Sequence, residues 1–182
     1  MGQDLPVTSY ALLGLLTFGD ALTGYELKQR ADATLRFYWV SPAMSQVYSE
    51  LARLTEHELV VATGEGRGTT YTISHAGRAA LAAWMRETAP GFPVLKHPVA
   101  LRLLLGHVVD RDATLAMLRD HVQALAKERA ALLEVRESLR GRDGPGAAFR
   151  HPSLVADWGL DYFDNESRIV SDLIRRLEEE GP

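Results

Sequence analysis

The chain contains no cysteine. Disulfides, thiolate nucleophiles and cysteine-held metal clusters are thereby excluded, and a reducing compartment fits. Lysine is scarce, with three residues (Lys28, Lys96 and Lys127) beside 17 arginines, and 24 acids leave a formal net charge of -4 over 182 residues. No apolar run approaches the ~20 residues of a membrane helix. The start, MGQDLPVTSYALLGLL, has no basic residue ahead of its apolar run and no small-residue cleavage site. Neither a signal peptide nor a membrane partner is expected, and a cytoplasmic location is. The sequence also lacks a G-x-S-x-G elbow, a P-loop, a strand followed by G-x-G-x-x-G, and an H-E-x-x-H pair. Its six histidines (His57, His75, His97, His107, His121 and His151) show no ligand or catalytic spacing. A structural or surface role is expected for each. The expectation is therefore a non-enzyme with no catalytic residue, no metal and no cofactor.

What is present is enough for a folded core: 46% of residues are apolar and 24% charged, which argues against disorder. Thr8 or Ser9 is expected to cap a first helix carrying Tyr10, Leu12, Leu13, Leu15 and Leu16, apolar on most sides and so central to its domain. Thr23-Gly24-Tyr25-Glu26 has the T-x-x-E form of a capping box. It predicts a second helix to about Thr34, with Tyr25, Leu27 and Ala31 facing inward. The aromatic turn Phe37-Tyr38-Trp39-Val40 is expected to pack beneath the next helix.

Ser41-Pro42 predicts the start of that helix, with Ser41 capping and Pro42 in the first turn. Met44, Val47, Leu51 and Leu54 recur at spacings of three and four and form one buried stripe. The opposite face holds Ser45, Gln46, Ser49 and Arg53, with Tyr48 on the flank. Short or forked polar side chains near a helix N-terminus suit base-edge contact in a DNA groove. Leu59–Ala62 and Thr69–Ile73 then read as two strands around the Gly-rich tip Thr63-Gly64-Glu65-Gly66-Arg67-Gly68. Those five residues from Gly64 to Gly68 resemble a phosphate loop in composition only, because they open no helix. Arg67, Thr69 and Thr70 are the candidate wing contacts. Ser74 is expected to cap a further helix ending near Thr88.

This order predicts a mostly α protein whose residues 1–88 form a winged helix-turn-helix of three to four helices and a two-stranded wing. The expected DNA-facing set is Ser41, Pro42, Ser45, Gln46, Tyr48, Ser49, Arg53, Arg67, Thr69 and Thr70. The charge balance opposes this reading: residues 1–88 hold seven Lys or Arg against nine Asp or Glu. Non-specific affinity should therefore be weak, with binding relying on specific contacts and on dimerisation.

The motifs ALLGLLTFGDALTGYEL, the Trp39-to-Ser41 turn, QVYSELARLTEHELV and GRGTTYTISHAGRAAL resemble the PadR-like transcriptional regulators over residues 5–88. The C-terminal half looks like the helical domain that part of this family carries. The resemblance implies a homodimeric repressor, less often an activator, whose affinity for operator DNA falls when a small-molecule effector binds. It implies DNA contact by Ser45, Gln46 and Tyr48 from the recognition helix and by Arg67 from the wing. Family wings commonly carry several basic residues, whereas Glu65, Thr69 and Thr70 stand here.

Pro90-Gly91-Phe92-Pro93 reads as a break, giving a linker over 89–98 and an all-α dimerisation domain over 99–182. Pro98 opens a helix rich in leucine. After Asp110, the residues Leu115, Leu118, Val122, Leu125, Arg129, Leu132, Arg136 and Leu139 form a heptad seam. Arginine at two seam positions weakens a dry coiled coil and suits a seam that is half exposed or that pairs with acids from another helix. Pro152-Ser153 opens the last helix, whose stripe Leu154, Trp158, Tyr162, Ile169, Leu173 and Leu177 is expected to meet a second subunit. The ligand-binding residues are not legible. Two rival readings remain from other classes. One is a winged-helix ligand-sensing or protein-interaction module that does not bind DNA, favoured by the acidic first domain. The other is an enzyme with an unusual site, disfavoured by the lack of a clustered nucleophile or base.

Overall fold

The computed structural model describes residues 5–91 and 96–179, and the side chain of Arg67 lies outside what is described. The chain divides into two compact units, Met1–Phe92 and Pro93–Pro182. Of the break expected at Pro90–Pro93, Phe92 and Pro93 fall outside the described residues.

The first unit contains α1 (Val7–Leu15), β1 (Leu22–Thr23), α2 (Gly24–Thr34), α3 (Met44–Glu56), β2 (Val60–Thr63), β3 (Thr70–Ile73) and α4 (His75–Glu87). Tyr10, Leu12, Leu13, Leu15 and Leu16 all enter the core, as their dense apolar pattern predicts. Leu27 and Ala31 of α2 and Val47, Leu51 and Leu54 of α3 complete it, while Met44 is half-buried. Trp84 of α4 stacks flat on Tyr10, with ring centroids 4.7 Å apart.

The expected capping box is present. Thr23 Oγ1 accepts the Glu26 N–H, and Glu26 Oε2 accepts the Thr23 N–H. The hydrogen bond from the Thr23 amide holds the Glu26 carboxyl below its ordinary pKa, helped by the Thr23 hydroxyl. Ser74 caps α4 by accepting the Gly77 N–H at 2.9 Å.

Several expectations are corrected. The first helix begins at Val7 after Pro6, so neither Thr8 nor Ser9 caps it. Ser9 is instead fully buried and donates its hydroxyl to Glu50 Oε2 on α3. Burying a carboxylate requires a partner, and Ser9 supplies one. Tyr25 is exposed, as are Tyr38, Trp39 and Val40, so the aromatic turn is not packed beneath α3. The wing sheet has three strands in the order β1-β3-β2, all antiparallel. β1 adds Leu22↔Tyr71 and Thr23↔Thr70 to the expected hairpin.

Glu58 closes α3 in the left-handed region at φ 57°. Its amide bonds Thr55 O and the Leu59 amide bonds Leu54 O, which satisfies carbonyls at the helix end. A β-carbon is strained there and glycine is not. Glu58→Gly should therefore stabilise the first unit by about 1 kcal/mol, read as a raised urea midpoint with unchanged slope. A lowered midpoint would mean that the Glu58 side chain supports this turn.

The second unit contains α5 (Pro98–Leu104), α6 (Arg111–Ser138) and α7 (Arg150–Glu179). Asp110 caps α6 by accepting the Ala113 N–H at 2.7 Å. The last helix starts two residues before Pro152, and Ser153 Oγ bonds the Phe149 carbonyl rather than capping. Of the predicted seam, Leu115, Leu118, Leu125, Leu132 and Leu139 are buried, and α6 packs along α7 against Ala156, Gly159, Phe163 and Val170.

The two seam arginines take acids from α7, the second of the two arrangements the sequence left open. Arg129 holds Asp164 by two bonds of 2.6 and 2.9 Å. Arg136 bonds Asp157 at 2.6 Å and Asp143 at 3.0 Å. The pairs step by seven residues up α6 and seven down α7, so one antiparallel register satisfies both. The Arg129 bonds lower the Asp164 carboxyl below its ordinary pKa. Their support is therefore present above the ordinary carboxylate pKa and is lost as pH falls through the lowered value. Both members are substantially exposed, so the pair contributes more to register than to stability.

Candidate nucleic-acid interface

α2, the turn after it and α3 form the helix-turn-helix, and β2–β3 follow α3 as the wing. The sides of α3 divide sharply. Val47, Leu51 and Leu54 are fully buried, whereas Ser45, Gln46, Tyr48, Ser49 and Arg53 are exposed. Ser45 and Gln46 make no side-chain hydrogen bond among the described residues, so their donors and acceptors face solvent uncommitted. Ser49 donates to the Ser45 carbonyl at 3.0 Å. Arg53 stands 3.6 Å from Glu50 Oε2. The buried carboxylate thus bonds Ser9 in the core and holds the Arg53 guanidinium from beneath, leaving its outer edge free to reach phosphate or guanine. Ser49, Ala52, Arg53, Glu56 and His57 line a shallow open depression on the helix.

Tyr48 is placed by close packing. A β-carbon on Gly24 would lie 2.6 Å from Tyr48 Cε1. The ring therefore lies over the first turn of α2, and a β-carbon there would displace it from this position. Tyr48 remains 46% exposed, so its other edge is open to a partner.

The start of α3 differs from expectation. Ala43, not Ser41, is the N-cap, and it makes no side-chain cap. Ser41 Oγ donates to Asp32 Oδ1 at 2.5 Å and stands 3.4 Å from Lys28 Nζ. An ionised carboxylate is the stronger acceptor, and it ties the turn to α2 instead of freeing Ser41 for capping. Pro42 is fully buried. It is withdrawn from the DNA-facing set, because a side chain closed off from solvent cannot touch a nucleic acid.

At the wing, Gly64 (φ 96°) and Gly66 (φ 59°) adopt conformations that favour glycine. Thr69 Oγ1 donates to Gly66 O at 3.0 Å, and Thr70 Oγ1 to Thr63 O at 3.4 Å. Both hydroxyls hold the tip closed and keep lone pairs available. Arg67 sits in the 3-10 turn Gly66–Gly68 at that tip.

Glu50 is buried, Glu26 is bonded within its capping box, and Asp32 is paired with Lys28.

This arrangement has close structural parallels. Bacillus subtilis PadR in complex with operator DNA superposes with a TM-score of 0.80 at 22% identity, over 94% of this chain and 99% of that one. The PadR-like transcriptional regulator BC1756 from Bacillus cereus gives 0.79 at 20% identity, over 95% and 99%. The Vibrio cholerae virulence activator AphA gives 0.73 at 22% identity, over 95% and 99%.

The fold is that of the PadR-like transcriptional regulators.

Residues 95–178 match the family model described as "Virulence activator alpha C-term", so the second unit carries the sequence pattern of that C-terminal domain. A Mycobacterium tuberculosis protein named "Probable transcriptional regulator Rv1176c" is 35% identical over 80 residues, covering 39% of this chain and 42% of that protein. The match thus takes in about two fifths of the length of that curated relative. Among the described residues, no helix is long and apolar enough to cross a membrane.

Sequence reasoning missed two features of the chain. Glu50 lies on the inner side of α3 and is invisible to apolar periodicity, although a lone acid three residues before Arg53 hints at its contact. The second lies in the C-terminal unit, where histidines far apart in sequence converge.

Proposed function

We propose that this chain is a sequence-specific DNA-binding transcriptional regulator, acting in the cytoplasm as a homodimeric repressor whose operator affinity falls when a small molecule binds. One observation carries the reading: the N-terminal half of α3 presents Ser45, Gln46, Tyr48 and Ser49 to solvent in a fold shared with an operator-bound regulator. In helix-turn-helix proteins that part of the second helix meets base edges in the major groove. Gln46 bonds adenine through its amide, Ser45 and Ser49 donate or accept, and Arg53 and Arg67 supply guanine or phosphate contacts. Thr69 and Thr70 shape the wing that meets the adjacent backbone, and Ser41 holds the turn ahead of the recognition helix.

The dimer rests on α7. Leu154, Trp158, Tyr162 and Ile169 are exposed, and Leu173 and Leu177 are half-buried. These residues lie on a flank of the helix beside the side that packs on α6, and they extend over about 35 Å. An apolar stripe of that length favours a second copy of the same stripe. Two half-sites read together then compensate for a first unit with little positive charge. An effector with even a modest preference for one of two dimer forms shifts the population that binds DNA. Among the neighbours, Bacillus subtilis PadR is also known in complex with p-coumaric acid, which supports small-molecule control for this fold.

The test is a mobility-shift selection on random duplexes followed by Gln46→Ala. The variant should lose about 1–3 kcal/mol at one base position per half-site and leave the other positions unchanged. An unchanged base preference would reject Gln46 as a reader. Absence of any sequence-selective shift at low salt would favour a winged-helix module without DNA binding.

A further inference from the structure

His97, His121 and Glu166 come from three separate stretches of the second unit: the residue before α5, the middle of α6 and the middle of α7. Their ligand atoms all lie within 4.8 Å of one another. His97 Nε2 is 2.9 Å from Glu166 Oε1, and His121 Nε2 is 3.5 Å from the same oxygen. All three side chains are less than 20% exposed. The two rings meet edge to face with centroids 5.5 Å apart, so they converge on the carboxylate from different directions.

The cluster is not satisfied as a hydrogen-bond network. His121 Nε2 is buried and has no hydrogen-bond partner among the described residues. Leaving a buried ring nitrogen unpaired is costly. One carboxylate oxygen between two imidazole nitrogens is also more than a lone ion pair requires. A cation taking one lone pair from each group removes the deficit.

From this geometry we propose that His97, His121 and Glu166 form a binding site for a divalent transition-metal ion of the zinc class. Two imidazoles and one carboxylate are a recognised zinc donor set, and three protein ligands leave a position for water. Ligand atoms bonded at about 2.0–2.2 Å in tetrahedral array lie roughly 3.3 Å apart. The separations of the two ring nitrogens from Glu166 Oε1, 2.9 and 3.5 Å, bracket that value. Imidazole nitrogen favours zinc, nickel and copper over magnesium or calcium. The site belongs to the second unit and α3 to the first, and the proposal does not rest on DNA binding.

Binding has a local consequence. His97 Nδ1 accepts the Ala100 N–H at 3.1 Å and so caps α5. That leaves the single proton of a neutral ring on Nε2, directed at Glu166. When the metal takes Nε2, the proton moves to Nδ1 and the Ala100 amide loses its acceptor. No proton is lost in this shift. The ion joins α6 to α7 and to the segment leading into α5, at the expense of that helix cap.

The experiment uses the full chain, untagged and stripped with chelator, titrated with Zn2+ against a chromogenic competitor and with Co2+ by visible absorption. The expected result is one ion per chain, Co2+ d–d bands of a four-coordinate site, and a shifted Ala100 amide resonance. Glu166→Gln, which keeps shape and size, and His121→Ala should each weaken binding by at least about tenfold. Exposed His151→Ala should not. Circular dichroism before titration confirms that each variant is folded. Absence of stoichiometric binding by the unaltered chain would overturn the proposal. So would equal affinity in folded Glu166→Gln.

Discussion

Gly77→Ala should be among the most destabilising single-methyl changes in the molecule. In an exposed helix interior this substitution gains up to about 1 kcal/mol. Here the added carbon would lie 2.0 Å from Leu59 O, 3.0 Å from Leu59 C and 2.9 Å from Ile73 Cγ1. Two of these neighbours are backbone atoms, and the Leu59 carbonyl is fixed because it accepts the Ser74 N–H at 3.0 Å. The clash therefore cannot be relieved by a rotamer change. α4 must move away from the β2 start, opening the stack of Trp84 on Tyr10 as it does so. The expected cost is about 3 kcal/mol or more, a large part of the 5–15 kcal/mol typical of a whole domain. Gly14→Ala is the control, since a β-carbon there meets nothing within 4 Å. Urea melts should show a sharp loss for the first variant and none for the second. A neutral Gly77→Ala would mean that α4 and the wing do not pack this closely.

The second large effect is expected from Trp158→Glu. Trp158 is 71% exposed in the single chain, so the α6–α7 pair does not need it and helix content should be unchanged. A charge within the proposed dimer stripe would instead be buried against the apolar stripe of the second subunit. The desolvation of an unpaired charge then opposes association. Sedimentation should show a single subunit for the variant and a dimer for the unaltered chain. Operator affinity should fall by about a hundredfold or more, the range lost when two linked half-sites become independent. A variant that remains dimeric would move the subunit interface elsewhere.

The fold was largely legible where chemistry is local. Thr23 with Glu26, and Ser74 before His75, announce helix starts because a short oxygen-bearing side chain answers an orphan amide a few residues away. The leucine period of α6 was legible, and so were its two interruptions by Arg129 and Arg136, seven residues apart; whether solvent or acids from another helix would receive them was not. The misread helix starts and the missed strand share a cause, which is competition from residues elsewhere in the sequence. Ser41-Pro42 has the composition of a helix start, yet Asp32 claims the serine and the core claims the proline, so α3 begins later at Met44. Ser9 looks like a cap until Glu50 is seen beneath it. β1 is two residues long and exists only because β3 passes beside it. At the interface, the exposed side of α3 was visible from the spacing of Val47, Leu51 and Leu54. The inner support of Arg53 by Glu50 was not. His97, His121 and Glu166 are 24 and 45 residues apart in sequence, and no short motif could have joined them.

The account stands on the exposed polar side of α3 being read twice by one symmetric protein. Footprinting on genomic DNA tests this most directly, since it reports site, symmetry and spacing together. The expected result is a protected region made of two inverted half-sites, centred one or two helical turns apart, that disappears with Trp158→Glu and changes one base position per half-site with Gln46→Ala. Protection that is absent, or that covers one unrepeated site bound by a single subunit, would contradict it.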